Sequence, residues 1–152
     1  MHFLNLIKQI SKDKEILMCV DMDGVLASYD VGNPSDFINK RPLTENIAKL
    51  EQISKLTNVE LRVLSICRKN EQIEEKNIWL DKYASFFNKE NRVIISKETI
   101  LNKKSYELKI DYLKNVDTKK QIILIDDDNL IIKKVVENLK NIIVFQDSEL
   151  ID

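Results

Sequence analysis

Two aspartates separated by one residue follow a hydrophobic segment near the start of the chain. The segment Ile16–Val20 contains only hydrophobic residues, as is typical of a buried strand, and Asp21 and Asp23 come directly after it. A buried carboxylate must be paired with a positive charge or bind a cation. Gly24 follows the second acid, where the backbone must turn sharply. We therefore expect both acids to lie at the end of a strand and to take part in a metal site.

Two carboxylates at this spacing could carry out phosphoryl transfer through a covalent aspartyl intermediate. Asp21 would be the nucleophile, and Mg²⁺, which prefers hard oxygen ligands, would screen its repulsion from an anionic substrate. Asp23 points to the same side of an extended strand as Asp21. It could therefore protonate the leaving oxygen and later deprotonate the attacking water.

Residues farther along the chain supply the groups that such a reaction still needs. Ser65, near the end of a second apolar strand, could donate a hydrogen bond to the phosphoryl group, and Lys109 could offset the negative charge. Asp126 and Asp127 follow another apolar segment, and they could complete the metal shell and orient the lysine.

The pattern of the chain explains how these distant residues could meet. Five apolar segments alternate with helical patterns, which favours an α/β fold with a parallel sheet covered by helices on both faces. The predicted strands are residues 15–21, 59–66, 92–96, 121–125 and 141–145, and the predicted helices are residues 3–10, 41–56, 71–87, 109–115 and 130–139. The carboxyl ends of parallel strands lie along one edge of a sheet, so the candidate residues are expected to converge there.

Size, composition and charge exclude several classes of protein. The chain has 152 residues and a net charge of -1, with 43% hydrophobic and 32% charged residues, a balance typical of a single globular domain. No stretch approaches the ~18 apolar residues of a membrane span, and the first residues lack the features of a signal peptide. We expect one domain over residues 1–152, a cytoplasmic location and no membrane partner. Cys19 and Cys67 form no C-x-x-C pair, so neither a disulfide nor a zinc site is expected.

Four motifs, in this order, resemble those of the haloacid dehalogenase (HAD) superfamily. They are residues 21–25 (DMDGV), residues 63–65 (VLS), Lys109, and residues 124–127 (LIDD). The resemblance implies a three-layer, Rossmann-like fold with the sheet in the order 5-4-1-2-3. It also implies Mg²⁺ held by Asp21, the backbone carbonyl of Asp23 and one acid of the fourth motif, for which we favour Asp127. Similar phosphatases and phosphomutases carry an acid at the position of Asp23, so the implied reaction is hydrolysis or transfer of a phosphomonoester.

Shorter resemblances concern the substrate. Residues 21–27 resemble 5'(3')-deoxyribonucleotidases, and residues 75–80 (EKNIWL) resemble small bacterial nucleotidase-like members, so a nucleotide is the favoured substrate. Arg68 and Lys69 could bind its distal anion. Residues 27–41 leave room only for a small cap or flap. In this superfamily a minimal cap leaves the site open, which suits a macromolecular substrate such as a nucleic-acid end, or a partner chain that covers the site.

The sequence leaves several assignments open. The competitors for the third motif are Lys97, Lys103, Lys104 and Lys109. We choose Lys109 because it opens a predicted helix. Asp126 and Asp127 are both candidates for the direct metal ligand, and the oligomeric state is not predicted.

The alternative functions are a polynucleotide-end, sugar-phosphate or protein phosphatase, and a non-catalytic phosphate-binding or partner-binding module. A calcium loop is disfavoured because Leu26 stands where that loop needs glycine. A response-regulator receiver is disfavoured because Ser96, and not an acid, ends the third predicted strand.

Overall fold

The computed structural model describes residues 2–152, so Met1, the first residue of the predicted domain, lies outside the described part. Five strands form one parallel sheet: β1 (Ile16–Val20), β2 (Val59–Cys67), β3 (Arg92–Ser96), β4 (Gln121–Asp126) and β5 (Ile143–Gln146). Their order is β3-β2-β1-β4-β5. This is the predicted order 5-4-1-2-3 read from the opposite edge, so the predicted α/β topology is confirmed.

Helices cover both faces of this sheet. They are α1 (His2–Asp13), α2 (Thr44–Ser54), α3 (Glu71–Tyr83), α4 (Ser105–Asn115) and α5 (Asn129–Asn138), with short 3₁₀ helices at Lys89–Asn91 and Asp147–Ile151. Within residues 2–152, none of the helices has both the length and the apolar character needed to cross a bilayer.

Helix α4 begins four residues earlier than predicted. A side-chain oxygen of Glu107 accepts a hydrogen bond from the backbone N–H of Lys104 at 3.2 Å, which stabilises the first turn of the helix within a polar stretch. Lys109 therefore lies in the second turn of α4. The expectation that Lys109 opens the helix was wrong.

The core consists of two apolar layers, one on each face of the sheet. All five residues of β1 are buried, and because side chains alternate along a strand, they divide between the two layers. Met18 and Val20 pack in the layer formed with helices α1, α2 and α3, which includes Trp79. Leu17 and Cys19 pack in the layer formed with α4 and α5. Because both faces of β1 are buried, the strand has no alternation of apolar and polar residues, and its acids lie beyond its end.

Residues 28–41 form an irregular loop, which we call the flap. The flap is closed at its base, where the backbone N–H of Ser28 donates to the carbonyl of Arg41 at 2.8 Å and Ala27 forms an isolated bridge with Pro42. The bridge keeps Pro42 extended, and α2 accordingly starts at Thr44 and not at residue 41. The described residues of the flap form neither a hairpin nor a helix.

Candidate active site

The turn that follows β1 carries both acids of the D-x-D-G sequence. Backbone N–H groups of residues 25–27 all donate to the carbonyl of Met22, at 3.3, 2.8 and 3.0 Å. Gly24 has a φ of 86°, which residues with a side chain rarely adopt. A Cβ atom at this position would also overlap the carboxylate of Asp127. Glycine is therefore required both by the turn and by the close approach of the fourth-motif acid.

The ammonium group of Lys109 lies between two buried carboxylates. Its Nζ donates to Oδ1 of Asp21 at 3.0 Å and to Oδ2 of Asp126 at 2.6 Å. The three residues are 1%, 8% and 0% exposed, respectively. Burial by itself lowers the pKa of Lys109, but the two carboxylates outweigh burial and raise this pKa, so the lysine is charged at neutral pH. Burial raises the pKa of Asp21 well above its ordinary value; Lys109 opposes this shift and the neighbouring carboxylates add to it.

Three acids form a cluster that fits a divalent cation. One oxygen from each of Asp21, Asp126 and Asp127 lies within 4.8 Å of the others, and carboxylate oxygens are the ligands that Mg²⁺ prefers. Both oxygens of Asp126 already accept hydrogen bonds, one from Lys109 and the other from the backbone N–H of Asp128 at 3.0 Å. Asp127 is less enclosed, and this favours Asp127 as the direct ligand. Burial raises the pKa of Asp127 to about 6; a hydrogen bond with Asp21 opposes the shift and the charge of Asp126 adds to it.

Asp23 is held by two lysines that the sequence analysis did not identify. Nζ of Lys40 lies 2.9 Å from one oxygen of Asp23, and Nζ of Lys76 lies 2.9 Å from the other. The Lys76 ammonium also donates to Oγ of Ser65 at 2.7 Å and to the carbonyl of Ile66 at 3.0 Å. Burial by itself raises the pKa of Asp23, but Lys76 and Lys40 outweigh burial and lower it. Asp23 is therefore held as a carboxylate.

A signal for Lys76 was present in the sequence. Lys76 precedes Trp79 and Leu80 by three and four residues, so it belongs to the buried face of α3. A lysine at such a position must find a buried partner. Lys40 gave no comparable signal because it lies in the flap, where its carbonyl accepts a hydrogen bond from the indole N–H of Trp79 at 2.9 Å.

The four lysines considered for the third motif have different surroundings. Of these four, Lys109 is the one that contacts the acid cluster. Lys103 forms an exposed ion pair with Asp111 at 2.6 Å. Lys104 directly precedes α4, and Lys97 directly follows β3.

The three residues predicted to bind substrate also have different surroundings. Ser65 is fully buried, and its hydroxyl accepts the hydrogen bond from Lys76. Arg68 lines a cavity beside Asp23. Lys69 is exposed and lies outside the lining of that cavity.

Two cavities adjoin at Asp23. The first, which we call the acid cavity, has a volume of about 380 Å³ and is lined by residues that include Asp21, Asp23, Lys109 and Asp127. The second, which we call the flap cavity, has a volume of about 280 Å³ and is lined by residues that include Asp23, Phe37, Lys40, Arg68 and Lys97. Both are lined by Asp23, Tyr29, Ile66 and Ser105. The acid cavity therefore contains the acid cluster, and the flap cavity extends away from it.

The fold and this site define a five-stranded parallel α/β structure with a cluster of three acids, Asp21, Asp126 and Asp127, at the carboxyl edge of the sheet. No protein-family model matches the sequence, and no curated protein matches it. Solved structures do match. A chain of the Pnkp1/Rnl/Hen1 complex has a TM-score of 0.67 and 20% identity, over 88% of this chain and 46% of that chain. A chain of the Pnkp1/Rnl/Hen1 RNA repair complex has a TM-score of 0.66 and 19% identity, over 88% of this chain and 42% of that chain.

A third structure is similar along most of both chains. The class C acid phosphatase from Bacillus anthracis, with tungstate bound, has a TM-score of 0.50 and 12% identity, over 96% of this chain and 75% of that chain. By contrast, this protein spans less than half the length of the two Pnkp1/Rnl/Hen1 chains. At these identities the similarity establishes the fold.

Proposed function

We propose that this protein is a phosphomonoester hydrolase that works through a phosphorylated Asp21 and uses Mg²⁺. The observation that carries the proposal is that Asp21, Lys109 and Asp127 line one cavity, with Nζ of Lys109 at 3.0 Å from Asp21. A carboxylate that attacks an anionic ester needs positive charge at this place. Asp21, Asp127 and the backbone carbonyl of Asp23 would hold the cation, and Asp126 would hold Lys109 in position.

The reaction would proceed in two steps. In the first, an oxygen of Asp21 bonds to phosphorus while the bond from phosphorus to the ester oxygen breaks, and protonated Asp23 gives its proton to that leaving oxygen. In the second, a water molecule attacks phosphorus, Asp23 accepts a proton from the water, and the bond to Asp21 breaks to release inorganic phosphate. The bound cation would supply positive charge to the phosphoryl oxygens.

The contacts of Asp23 with two lysines affect the first step, because that step needs protonated Asp23. Because Lys76 and Lys40 lower the pKa of Asp23, its carboxylate form is ready to act as the base of the second step. The protonated form required by the first step becomes scarcer as the pH rises. We therefore expect activity to be highest on the acidic side of neutrality.

A nucleotide is the favoured substrate, and the phosphorylated end of a nucleic acid is the second candidate. A short flap, in place of a large cap, suits a site that must admit a polymer. One of the similar structures is described as an RNA repair complex. This similarity supports a nucleic-acid end as a substrate to be assayed.

Phosphate release from a panel of esters tests the proposal. The panel contains p-nitrophenyl phosphate, nucleoside monophosphates, oligonucleotides with a 3' or 5' phosphate, sugar phosphates and a phosphopeptide, each with Mg²⁺ or with EDTA. Asp21→Asn should lower the rate by roughly 10³-fold or more, whereas Asp117→Asn, a change at an exposed residue, should leave it unchanged. Equal rates for the wild type and Asp21→Asn would refute the assignment of the nucleophile. No release from any ester would favour the non-catalytic binding module.

Detection of the phosphoenzyme provides a second test. Acid quenching during turnover, followed by peptide mass spectrometry, should locate a phosphoryl group on Asp21. A phosphoryl group on another residue would contradict the proposed mechanism even if the enzyme hydrolyses esters.

A further inference from the structure

Two positively charged residues, Arg68 and Lys97, hold adjacent positions at the carboxyl edge of the sheet, and both line the flap cavity. Strands β2 and β3 pair as far as Cys67 and Ser96, so Arg68 and Lys97 are the next residues on neighbouring strands. The backbone N–H of Lys97 donates to the carbonyl of Cys67 at 2.9 Å, which keeps the two strand ends together. Like charges on adjacent strands repel each other. The arrangement therefore favours an anion that bridges both side chains.

No described residue neutralises this pair. Within residues 2–152, the side chains of Arg68 and Lys97 form no ion pair and no hydrogen bond. Glu98 follows Lys97 in the chain but pairs with neither cation. Lys40, the other cation of the flap cavity, already contacts Asp23 at 2.9 Å. The flap cavity therefore has two cations in excess of its carboxylates.

The position of Arg68 is fixed at the backbone. Oε1 of Gln72, which is 8% exposed, accepts hydrogen bonds from the backbone N–H groups of Arg68 at 2.9 Å and Lys69 at 3.0 Å. The main chain is thereby held by a buried side chain, while Arg68, an exposed residue, lines the cavity and its side chain forms no ion pair or hydrogen bond within residues 2–152. Because the backbone is already held, binding of a ligand by the side chain need not order the main chain as well.

The flap cavity is the space into which the leaving group of the substrate would extend. In phosphoryl transfer the attacking and leaving oxygens lie roughly in line on opposite sides of phosphorus. Asp21 lines only the acid cavity, whereas Asp23, the proposed proton donor to the leaving oxygen, lines both cavities. The alcohol portion of the substrate would therefore extend past Asp23 into the flap cavity, towards Arg68 and Lys97.

We propose that Arg68 and Lys97 bind a second phosphate group on the leaving alcohol, so that the preferred substrates are phosphomonoesters carrying a further phosphate. This inference rests on the proposed phosphatase function. A nucleoside 3',5'-bisphosphate, the phosphodiester next to a nucleic-acid 3' end and a sugar bisphosphate share this chemistry. Lys69, outside the cavity lining, is not part of the subsite.

Matched substrate pairs test the subsite. The pairs are adenosine 3'-phosphate with adenosine 3',5'-bisphosphate, thymidine 3'-phosphate with a dinucleotide 3'-phosphate, and glucose 1-phosphate with glucose 1,6-bisphosphate. For each pair, the measured quantity is the ratio of kcat/KM with the second phosphate to kcat/KM without it. The ratio should exceed one in the wild type and fall about tenfold in Arg68→Gln and in Lys97→Gln, since each removes a charge-assisted hydrogen bond. Lys97→Arg should recover most of the ratio.

A control variant separates a local subsite from a general effect of charge. Lys119→Gln removes one positive charge from an exposed residue at the amino-terminal side of β4 and should leave the ratio unchanged. An equal fall in Lys119→Gln would overturn the proposal, as would a wild-type ratio near one for all three pairs. The pair with the largest ratio identifies the source of the second phosphate.

Binding measurements keep this proposal distinct from the proposed function. Calorimetry on Asp21→Asn should show tighter binding of adenosine 3',5'-bisphosphate than of adenosine 3'-phosphate, and addition of Arg68→Gln should abolish most of the difference. If the wild-type protein hydrolyses no ester, the proposed function fails and this measurement still decides whether the second phosphate is recognised. If hydrolysis is observed but neither variant changes the ratio or the affinities, the subsite is refuted and the phosphatase function stands.

Discussion

Replacing Lys109 by methionine should destabilise the protein strongly, and by an amount that depends on pH. The change leaves Asp21, Asp126 and Asp127 within 4.8 Å of one another without the ammonium group that contacts two of them. Removing one partner of a buried ion pair costs about 3–5 kcal/mol of folding free energy. With a urea m-value of about 2 kcal/mol/M, the midpoint of unfolding should fall by about 1.5–2.5 M.

The pH dependence of this loss follows from the pKa values of the acids. The pKa of Asp21 is raised well above its ordinary value, and that of Asp127 is raised to about 6. Lys109 stays protonated between pH 7.5 and pH 5 because its pKa is raised. Lowering the pH over this range protonates Asp127, which relieves the repulsion among the three acids in the variant. The difference in unfolding free energy between the wild type and Lys109→Met should therefore shrink as the pH falls.

Urea unfolding followed by circular dichroism in EDTA, at pH 7.5 and pH 5, measures this effect. Lys103→Met is the matched control, because Lys103 also lies 2.6 Å from a carboxylate, that of Asp111, but on the exposed surface. An exposed ion pair contributes little to stability, so the control should unfold close to the wild type at both pH values. The reasoning is refuted if both variants lose the same stability, or if the loss in Lys109→Met is independent of pH.

Three further changes test the site. Gly24→Ala should lower the unfolding free energy by about 1–2 kcal/mol, because φ is 86°. The same change should weaken Mg²⁺ binding by displacing Asp127. The control Gly32→Ala should have neither effect, because the nearest atom to the new Cβ lies at 3.5 Å. Asp127→Asn should raise the melting temperature in EDTA at pH 7.5 and leave it nearly unchanged at pH 4. The reason is that a folded-state pKa of about 6 means that the ionised carboxylate destabilises the folded protein above its ordinary pKa of about 4. A lower melting temperature at pH 7.5 would contradict this. Lys40→Met should raise the pKa of Asp23 and move the alkaline limb of the kcat/KM profile to higher pH, and an unmoved limb would argue against Asp23 as the general acid.

Much of the fold could be read from the sequence because its signals are local. Each strand is a short apolar segment, and β1 is apolar on both faces because helices cover both. The strand order came from the resemblance of the motifs and not from any local signal. Element ends were less predictable: α4 begins at Ser105 within a polar stretch, where a hydrogen bond from the backbone of Lys104 to Glu107 stabilises its first turn.

The sequence by itself determined that Asp21, Asp23 and the fourth-motif acids stand at strand ends, since acids cannot continue a buried strand without partners. The tertiary structure alone decided which partners they have. Lys76 and Lys40 reach Asp23 across separations of 53 and 17 residues, and Lys109 reaches Asp21 across 88. Arg68 and Lys97 become neighbours only through the register of β2 and β3. A buried charge must be neutralised nearby, but its counter-charge can come from any element that the packing brings within about 3 Å.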